Sequence, residues 1–200
     1  MAPTRTRIQT RNRETILAAG LTVFSGQGFR GATLDEIARQ AGLSKPNLLY
    51  YFPSKEAIYT ELLEGLLDTW LDPLRALDPS GPALEELLAY VERKLSLSRD
   101  FPLESRLFAN EILQGAPQIG KILSSDLKAL VDEKAAVIKI WADDGQIAPV
   151  DPHHLIFSIW SLTQHYADFD VQVRAVLGKA DPFPGAEAHL EQVFRRILTP

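Results

Sequence analysis

The sequence has no cysteine and no hydrophobic run long enough to cross a membrane. The absence of cysteine excludes disulfide bonds and thiolate metal sites. Its most apolar segment, residues 155–160, is far shorter than the roughly 20 residues that span a bilayer. The N-terminal segment is rich in arginine and carries no apolar stretch of the kind found in secretory signals. We therefore expect a cytoplasmic protein with no membrane partner.

Motifs that carry catalysis or bind metals and nucleotides are also missing. The sequence contains no G-x-S-x-G, P-loop, G-x-G-x-x-G or H-E-x-x-H pattern. His165 and Asp168 have i, i+3 spacing, but only the adjacent pair His153 and His154 is available to supplement them, and adjacent residues point to different helix faces. We expect no catalytic residue, no cofactor and no metal, and this counts against an enzyme.

Charge is distributed unevenly along the chain. The 200 residues are 46% hydrophobic and 24% charged, as is ordinary for a folded chain of one or two domains. Residues 1–55 contain eight basic and three acidic residues, a net charge of +5, whereas residues 56–200 carry −10. A basic end on an acidic body indicates a polyanionic partner, with nucleic acid first and a membrane surface second. A solvated basic tail is the alternative.

Hydrophobic periodicity and capping patterns predict an all-α fold of about nine helices. Apolar residues recur at steps of three and four over residues 10–27, which is typical of one buried helix face. No segment alternates like a strand for more than a few residues. Further helices are expected over residues 33–41, 45–51, 55–77, 82–99, 102–114, 118–123, 126–144, 151–177 and 186–198.

Two short helices near the N-terminus have the helix-turn-helix pattern. Thr33 begins a T-x-x-E capping box, and the helix that it starts stops at Gly42. Ser44 caps the second helix, residues 45–51, which has proline in its first turn. The N-terminus of this second helix offers free N–H groups to a phosphate, and Asn47 is suited to a base edge. A purely structural helix pair is the alternative.

Three segments around this helix pair, residues 31–38, 41–45 and 50–56, resemble the TetR family of bacterial transcriptional repressors in order, spacing and position. The resemblance implies a DNA-binding domain at residues 1–53 and a ligand-binding and dimerisation domain at residues 54–200. Asn47 is a candidate from its chemistry alone, and the resemblance alone adds Thr33 and Ser44. Both the chemistry and the resemblance support Lys45, Tyr50, Tyr51 and Lys55. The expected DNA-binding residues are Thr33, Ser44, Lys45, Asn47, Tyr50, Tyr51 and Lys55.

Four segments, residues 47–57, 126–134, 151–157 and 164–169, resemble TetR-family regulators of pyrimidine utilisation. This resemblance implies an effector that is uracil or thymine. It also implies that Trp70, Trp160 and Gln164 line the ligand pocket.

The chemistry of these three residues suits a pyrimidine dione, which is flat and alternates carbonyl acceptors with N–H donors. A tryptophan face covers such a ring, and a glutamine carboxamide matches its imide edge. From the residues alone, two core tryptophans and a glutamine bonded to a backbone carbonyl remain the favoured interpretation. Arg106, Asn110 and Glu111 are further candidates for the ligand pocket, with an exposed polar face as the alternative.

The expected mechanism requires two copies of the chain. We expect a homodimer through the last two long helices, about residues 151–177 and 186–198, with two recognition helices on a pseudo-palindromic double-stranded DNA operator. The helix over residues 55–77 would shift as a rigid body when ligand binds. The expected apolar anchors of the dimer contact are Phe157, Ile159, Val193, Phe194 and Ile197.

Other functions remain open on the sequence alone. A TetR-type repressor that responds to a purine, a drug or an acyl compound fits the same motifs. A helical enzyme is disfavoured because no catalytic constellation is present. A DNA-architectural protein without a ligand is disfavoured because the C-terminal part is acidic and contains three tryptophans.

Overall fold

The computed structural model describes residues 7–178 and 181–200. Within these residues the all-α prediction is confirmed, and no strand is present. Residues 1–6 of the expected DNA-binding domain and residues 179–180 lie outside the described part. The helices are α1 (Arg7–Gly31), α2 (Leu34–Gln40), α3 (Lys45–Tyr51), α4 (Lys55–Arg75), α5 (Ala83–Asp100), α6 (Pro102–Leu113), α7 (Gly120–Ile122), α8 (Lys128–Asp143), α9 (Pro152–Asp168), α10 (Asp170–Val176) and α11 (Phe183–Leu198).

The predicted caps of the helix-turn-helix are confirmed. The Thr33 hydroxyl accepts a hydrogen bond from the backbone N–H of Glu36 at the start of α2. The Ser44 hydroxyl accepts one from the N–H of Asn47 at the start of α3. Between the two helices Gly42 has a φ of 68°, a left-handed conformation that glycine adopts without strain. The tight turn therefore follows directly from the local sequence.

Two predicted helix boundaries are wrong. The helix predicted over residues 151–177 ends at Asp168, because Phe169 adopts a φ of −112° and a ψ of 27° and separates α9 from α10. Apolar residues continue past Phe169, so the sequence pattern gives no sign of the break. In the structure Val171, Val176 and Leu177 are exposed, so they do not extend the buried face of α9. The two segments predicted around residues 118–144 join instead through a π-helical turn at Leu123–Leu127, which a search for 3.6-residue periodicity passes over.

The described chain divides into two compact units, and the first contains the helix-turn-helix. It comprises Met1–Leu67 and Arg106–Ile119. Its helices α1, α2 and α3 pack on one another. Phe24 and Tyr59 meet edge to face, with ring centroids 4.9 Å apart. The buried side chains of this unit include Ile16, Phe24, Ile37, Leu48, Phe52, Ile58, Tyr59 and Leu63.

The second unit comprises Asp68–Ser105 and Gly120–Pro200. Its core forms where α5 packs against α9 and α11, and α8 against α9. Two of the expected dimer anchors, Ile159 and Phe194, are fully buried in this core, so they are wrong as interface residues. Phe157 and Ile197 are exposed, and Val193 is half-buried. No helix in the described part of the chain is long and apolar enough to span a membrane.

Candidate functional site

Helix α3 presents polar and aromatic side chains on its outer surface. Lys45, Asn47 and Tyr50 are exposed, with 71% of Tyr50 accessible, whereas Leu48 is buried against the first unit. Burial of Leu48 fixes which face of this two-turn helix points outward. The exposed face carries a cation, an amide and a phenol, which are the groups that contact phosphates and base edges.

Helix α1 supports both tyrosines of this surface. The Asn12 side chain donates a 2.7 Å hydrogen bond to the Tyr51 hydroxyl, and Gln9 donates a longer one of 3.4 Å to the Tyr50 hydroxyl. Arg13 donates to the Tyr51 carbonyl, stacks on Phe52 and pairs with Glu61.

Sequence reasoning missed this supporting role of α1. The spacing of Gln9, Asn12 and Arg13 was a usable signal, because it places three polar groups on one helix face. These α1 side chains orient the α3 tyrosines.

Lys45 and Thr33 lie at the beginnings of the two short helices. Lys45 Nζ pairs with Asp35 Oδ2 at 2.8 Å, and both side chains are largely exposed. An exposed pair of this kind contributes little to folding stability. Lys45 can therefore release Asp35 and bind a phosphate instead. Thr33 is exposed and Ser44 is exposed, and each hydroxyl already accepts one cap hydrogen bond while its proton remains available to donate.

Lys55 is placed differently from the other basic residues of this surface. Its ammonium donates hydrogen bonds of 2.7 Å to the Phe29 carbonyl and 2.8 Å to the Ala32 carbonyl. It also lies 4.5 Å from the centroid of the Phe29 ring. Lys55 therefore binds one carbonyl in the last turn of α1 and one just after it, and this geometry gives Lys55 a structural role in the first unit.

Three candidate ligand residues belong to α6 within the first unit. Glu111 is buried and accepts a 2.6 Å hydrogen bond from the backbone N–H of Gln118. Burial and the neighbouring Glu111 carboxylate raise the pKa of Tyr59. Arg106 has a buried Nε without a hydrogen-bond partner among the described residues, and Asn110 is half-buried. One of these residues is therefore buried and two are half-buried, and none of them lies on a fully exposed face.

The other three candidates, Trp70, Trp160 and Gln164, belong to the second unit. Trp160 donates a 2.6 Å hydrogen bond from its indole nitrogen to the hydroxyl of Tyr90. Burial raises the pKa of Tyr90, so this phenol stays neutral. Gln164 lies one turn beyond Trp160 on α9 and is half-buried. The carboxamide of Gln164 has no hydrogen-bond partner in the part of the chain that the structure describes.

A buried lysine in the second unit was missed from the sequence. Lys94 is 2% exposed, and its Nζ lies 5.4 Å from the centroid of the Trp70 ring. Burial lowers the pKa of Lys94 to about 7, and the negative charge of Asp168 partly opposes this effect. The burial of Lys94 was predictable from the sequence. Leu87, Val91 and Leu95 define the apolar stripe of α5, and Lys94 lies within it.

Comparison with known proteins identifies the class. The model of bacterial regulatory proteins of the tetR family matches residues 16–62, and that of the YcdC-like protein C-terminal region matches residues 63–199. The chain therefore belongs to the TetR family of transcriptional regulators, which is a family of DNA-binding proteins and not of enzymes.

Among individual proteins, the HTH-type transcriptional regulator RutR of Escherichia coli K12 is 52% identical to this chain over 174 residues, which cover 87% of this chain and 82% of RutR. A tetR-family regulatory protein of Rhodococcus RHA1 shares the fold, with a TM-score of 0.77 at 21% identity over 94% of this chain and 97% of that one. AibR, solved in complex with isovaleryl coenzyme A and operator DNA, shares the fold with a TM-score of 0.73 at 17% identity. The match covers 91% of this chain and 97% of AibR.

Proposed function

We propose that this protein is a dimeric repressor that binds a pseudo-palindromic DNA operator and releases it when uracil or thymine binds. The observation that carries the DNA-binding part is the outer face of α3, where Lys45, Asn47 and Tyr50 are exposed beside a capped helix N-terminus. This combination provides phosphate contacts for position and side chains for base recognition. A regulator of this kind acts where the chromosome is, in the cytoplasm.

The DNA contacts divide into direct and supporting roles. Thr33, Ser44, Lys45 and Tyr50 are proposed to contact phosphates, and Asn47 a base edge. Tyr51 is proposed to donate its hydroxyl proton to the DNA, because Asn12 already donates a hydrogen bond to the hydroxyl oxygen. Lys55 is proposed to act indirectly, because the carbonyls of Phe29 and Ala32 bind its ammonium.

The effector assignment is supported by the 52% identity to RutR and by the chemistry of the candidate pocket. Trp70 and Trp160 provide flat aromatic faces, and the Gln164 carboxamide offers one donor and one acceptor to an imide edge. Arg106, Asn110 and Glu111 are proposed as additional polar residues for the effector. Glu111 is the least available of them, because its carboxylate already accepts from Gln118.

Dimerisation is proposed through α9 and α11. The exposed side chains of Phe157, Leu162 and Ile197 would be covered by a second copy of the chain. Helix α4 is shared by both units, since the division falls between Leu67 and Asp68. Its displacement on ligand binding is the proposed route by which effector and DNA compete.

Ligand-dependent thermal unfolding tests the effector assignment. Uracil, thymine, cytosine and xanthine are compared on the wild-type protein and on Trp160→Ala. At about 100 times Kd, binding to the native state adds about 2.7 kcal/mol, and each kcal/mol raises Tm by roughly 2–4 °C for a chain of this size. We expect a rise with uracil or thymine that Trp160→Ala loses. No rise with any of the four bases would overturn the pyrimidine assignment.

A different effector is the second candidate function. AibR, which shares this fold, was solved with an acyl coenzyme A. A rise in Tm with an acyl compound, a purine or a drug, and none with pyrimidines, would support that alternative.

A further inference from the structure

The second unit contains a buried lysine, Lys94, on the apolar face of α5. Helix α5 buries an apolar stripe, and Lys94 is the charged residue within it, with 2% of its surface exposed. Burying an ammonium group is costly unless a partner compensates. In the described part of the chain, Lys94 Nζ donates no hydrogen bond and forms no direct ion pair; its recorded contact is with the face of the Trp70 ring.

Trp70 provides a second, independent observation at the same place. Its side chain is 4% exposed, and its indole Nε1 has no hydrogen-bond partner among the described residues. Buried donors in folded proteins are nearly always satisfied, so an unpaired one indicates a missing partner. An ammonium and an indole N–H therefore lie side by side in the interior of the second unit, and neither donates a hydrogen bond to another described residue.

Two polar groups of this unit, Asp168 and Tyr90, have recorded hydrogen bonds with residues other than Lys94 and Trp70. Asp168 acts on Lys94 electrostatically, but its Oδ1 accepts a 2.5 Å hydrogen bond from the Ser105 hydroxyl. The Tyr90 hydroxyl, on the same helix as Lys94, accepts from Trp160. The indole N–H of Trp70 has no acceptor among the described residues, and with Lys94 beside it this points to a bound molecule that both can contact.

We propose that Lys94 is a specificity-determining residue of the effector site, donating a charge-assisted hydrogen bond to a carbonyl oxygen of the ligand beside the Trp70 indole. This inference rests on the proposed function and names the ligand class that the site selects: a neutral or anionic heterocycle with a carbonyl acceptor. A purely apolar ligand would leave the ammonium unpaired, and a cationic ligand would be repelled by it. A pyrimidine dione has two such carbonyls.

The test compares uracil with 2-thiouracil and 4-thiouracil, in which sulfur, a weaker acceptor, replaces one oxygen. Calorimetric titrations at pH 6.5 use the full-length wild type, Lys94→Met and the matched control Lys134→Met. Lys134 is a second buried lysine of the same unit, and it donates to the Leu77 carbonyl. A second variant, Trp70→Phe, removes the indole donor and keeps an aromatic ring.

We expect wild type and Lys134→Met to bind uracil tightly and to bind one of the two thio analogues at least about tenfold more weakly. Lys94→Met should weaken uracil binding by about tenfold or more and should remove the discrimination between oxygen and sulfur. Trp70→Phe should weaken uracil binding while retaining part of that discrimination. Circular dichroism of each variant confirms that it is folded.

Uracil affinity and oxygen–sulfur discrimination unchanged in a folded Lys94→Met protein would overturn this inference and leave the proposed function standing. If Lys94→Met does not fold, an unchanged uracil affinity in a folded Trp70→Phe protein would overturn it. Failure of the wild type to bind either uracil or thymine would instead overturn the proposed effector, and this inference with it.

Discussion

Lys94 and Trp70 are packed against each other inside the second unit, with the ammonium nitrogen 5.4 Å from the centroid of the indole ring. A cation beside a buried aromatic face gains electrostatic stabilisation, but less than full hydration would give it. The unliganded protein therefore holds a buried charge at a cost in stability. That cost has a measurable dependence on pH.

The stability of the unliganded protein should rise with pH above neutrality because of Lys94. Burial lowers its pKa to about 7 in the folded state, whereas the ordinary lysine value is 10.5. Below pH 7 both states are protonated. Between pH 7 and 10.5 the unfolded chain binds a proton that the folded protein has released, so the free energy of unfolding increases by at most about 1.4 kcal/mol per pH unit.

Urea denaturation at pH 6, 7, 8 and 9 measures this increase. Lys94→Met should be more stable than wild type at pH 6, and the difference should shrink towards pH 9. Lys134→Met should keep the pH slope of the wild type. A constant difference between wild type and Lys94→Met across this range would show that Lys94 does not titrate there.

Lys55 and Lys45 should respond to substitution in opposite ways. Lys55→Met leaves the Phe29 and Ala32 carbonyls without their donor, so we expect a loss of about 1–3 kcal/mol in the free energy of unfolding. Lys45→Met removes an exposed ion pair with Asp35 and should change stability by no more than about 0.5 kcal/mol. Lys45→Met should instead weaken DNA binding and reduce the salt slope by about one.

Chemical denaturation and DNA titrations at several salt concentrations separate these two roles. The structural role of Lys55 would be contradicted by an unchanged stability together with a reduced salt slope in Lys55→Met.

Two glycines of α1 provide a packing test with an internal control. A Cβ on Gly20 would lie 2.9 Å from Ile58 Cγ2, so Gly20→Ala should destabilise the protein by about 1–3 kcal/mol. A Cβ on Gly26 would meet no atom within 4 Å, and Gly26→Ala should stabilise the helix by up to about 1 kcal/mol. Thermal unfolding of the two variants compares them directly, and equal effects would contradict the close packing of α1 on α4.

The features of the fold that the sequence predicted are those that depend on residues close together in the chain. The caps at Thr33 and Ser44 were predictable because each depends on residues three positions apart. The break at Phe169 was not, because the apolar residues on either side continue the pattern while remaining exposed. Burial of Ile159 and Phe194 was equally hidden, since periodicity does not distinguish a protomer core from a dimer interface.

The candidate site was predicted in part for a related reason. The exposed face of α3 follows from one short helix, so sequence alone predicted that Lys45, Asn47 and Tyr50 lie on its surface. The hydrogen bond between Trp160 and Tyr90 joins residues 70 positions apart, and that between Ser105 and Asp168 joins residues 63 apart. Such contacts arise only from packing between helices, and no local pattern specifies them.

Operator binding with and without effector measures the proposed competition between effector and DNA. DNA selected from a random pool by the protein itself is labelled, and its affinity is measured by fluorescence anisotropy with no base, with cytosine, and with saturating uracil or thymine. We expect a palindromic selected sequence, and an affinity for it that uracil or thymine weakens by about 5- to 150-fold, corresponding to a coupling of roughly 1–3 kcal/mol. Cytosine should leave this affinity unchanged. Equal affinity for this DNA in the presence and absence of saturating uracil and thymine would contradict the proposed competition.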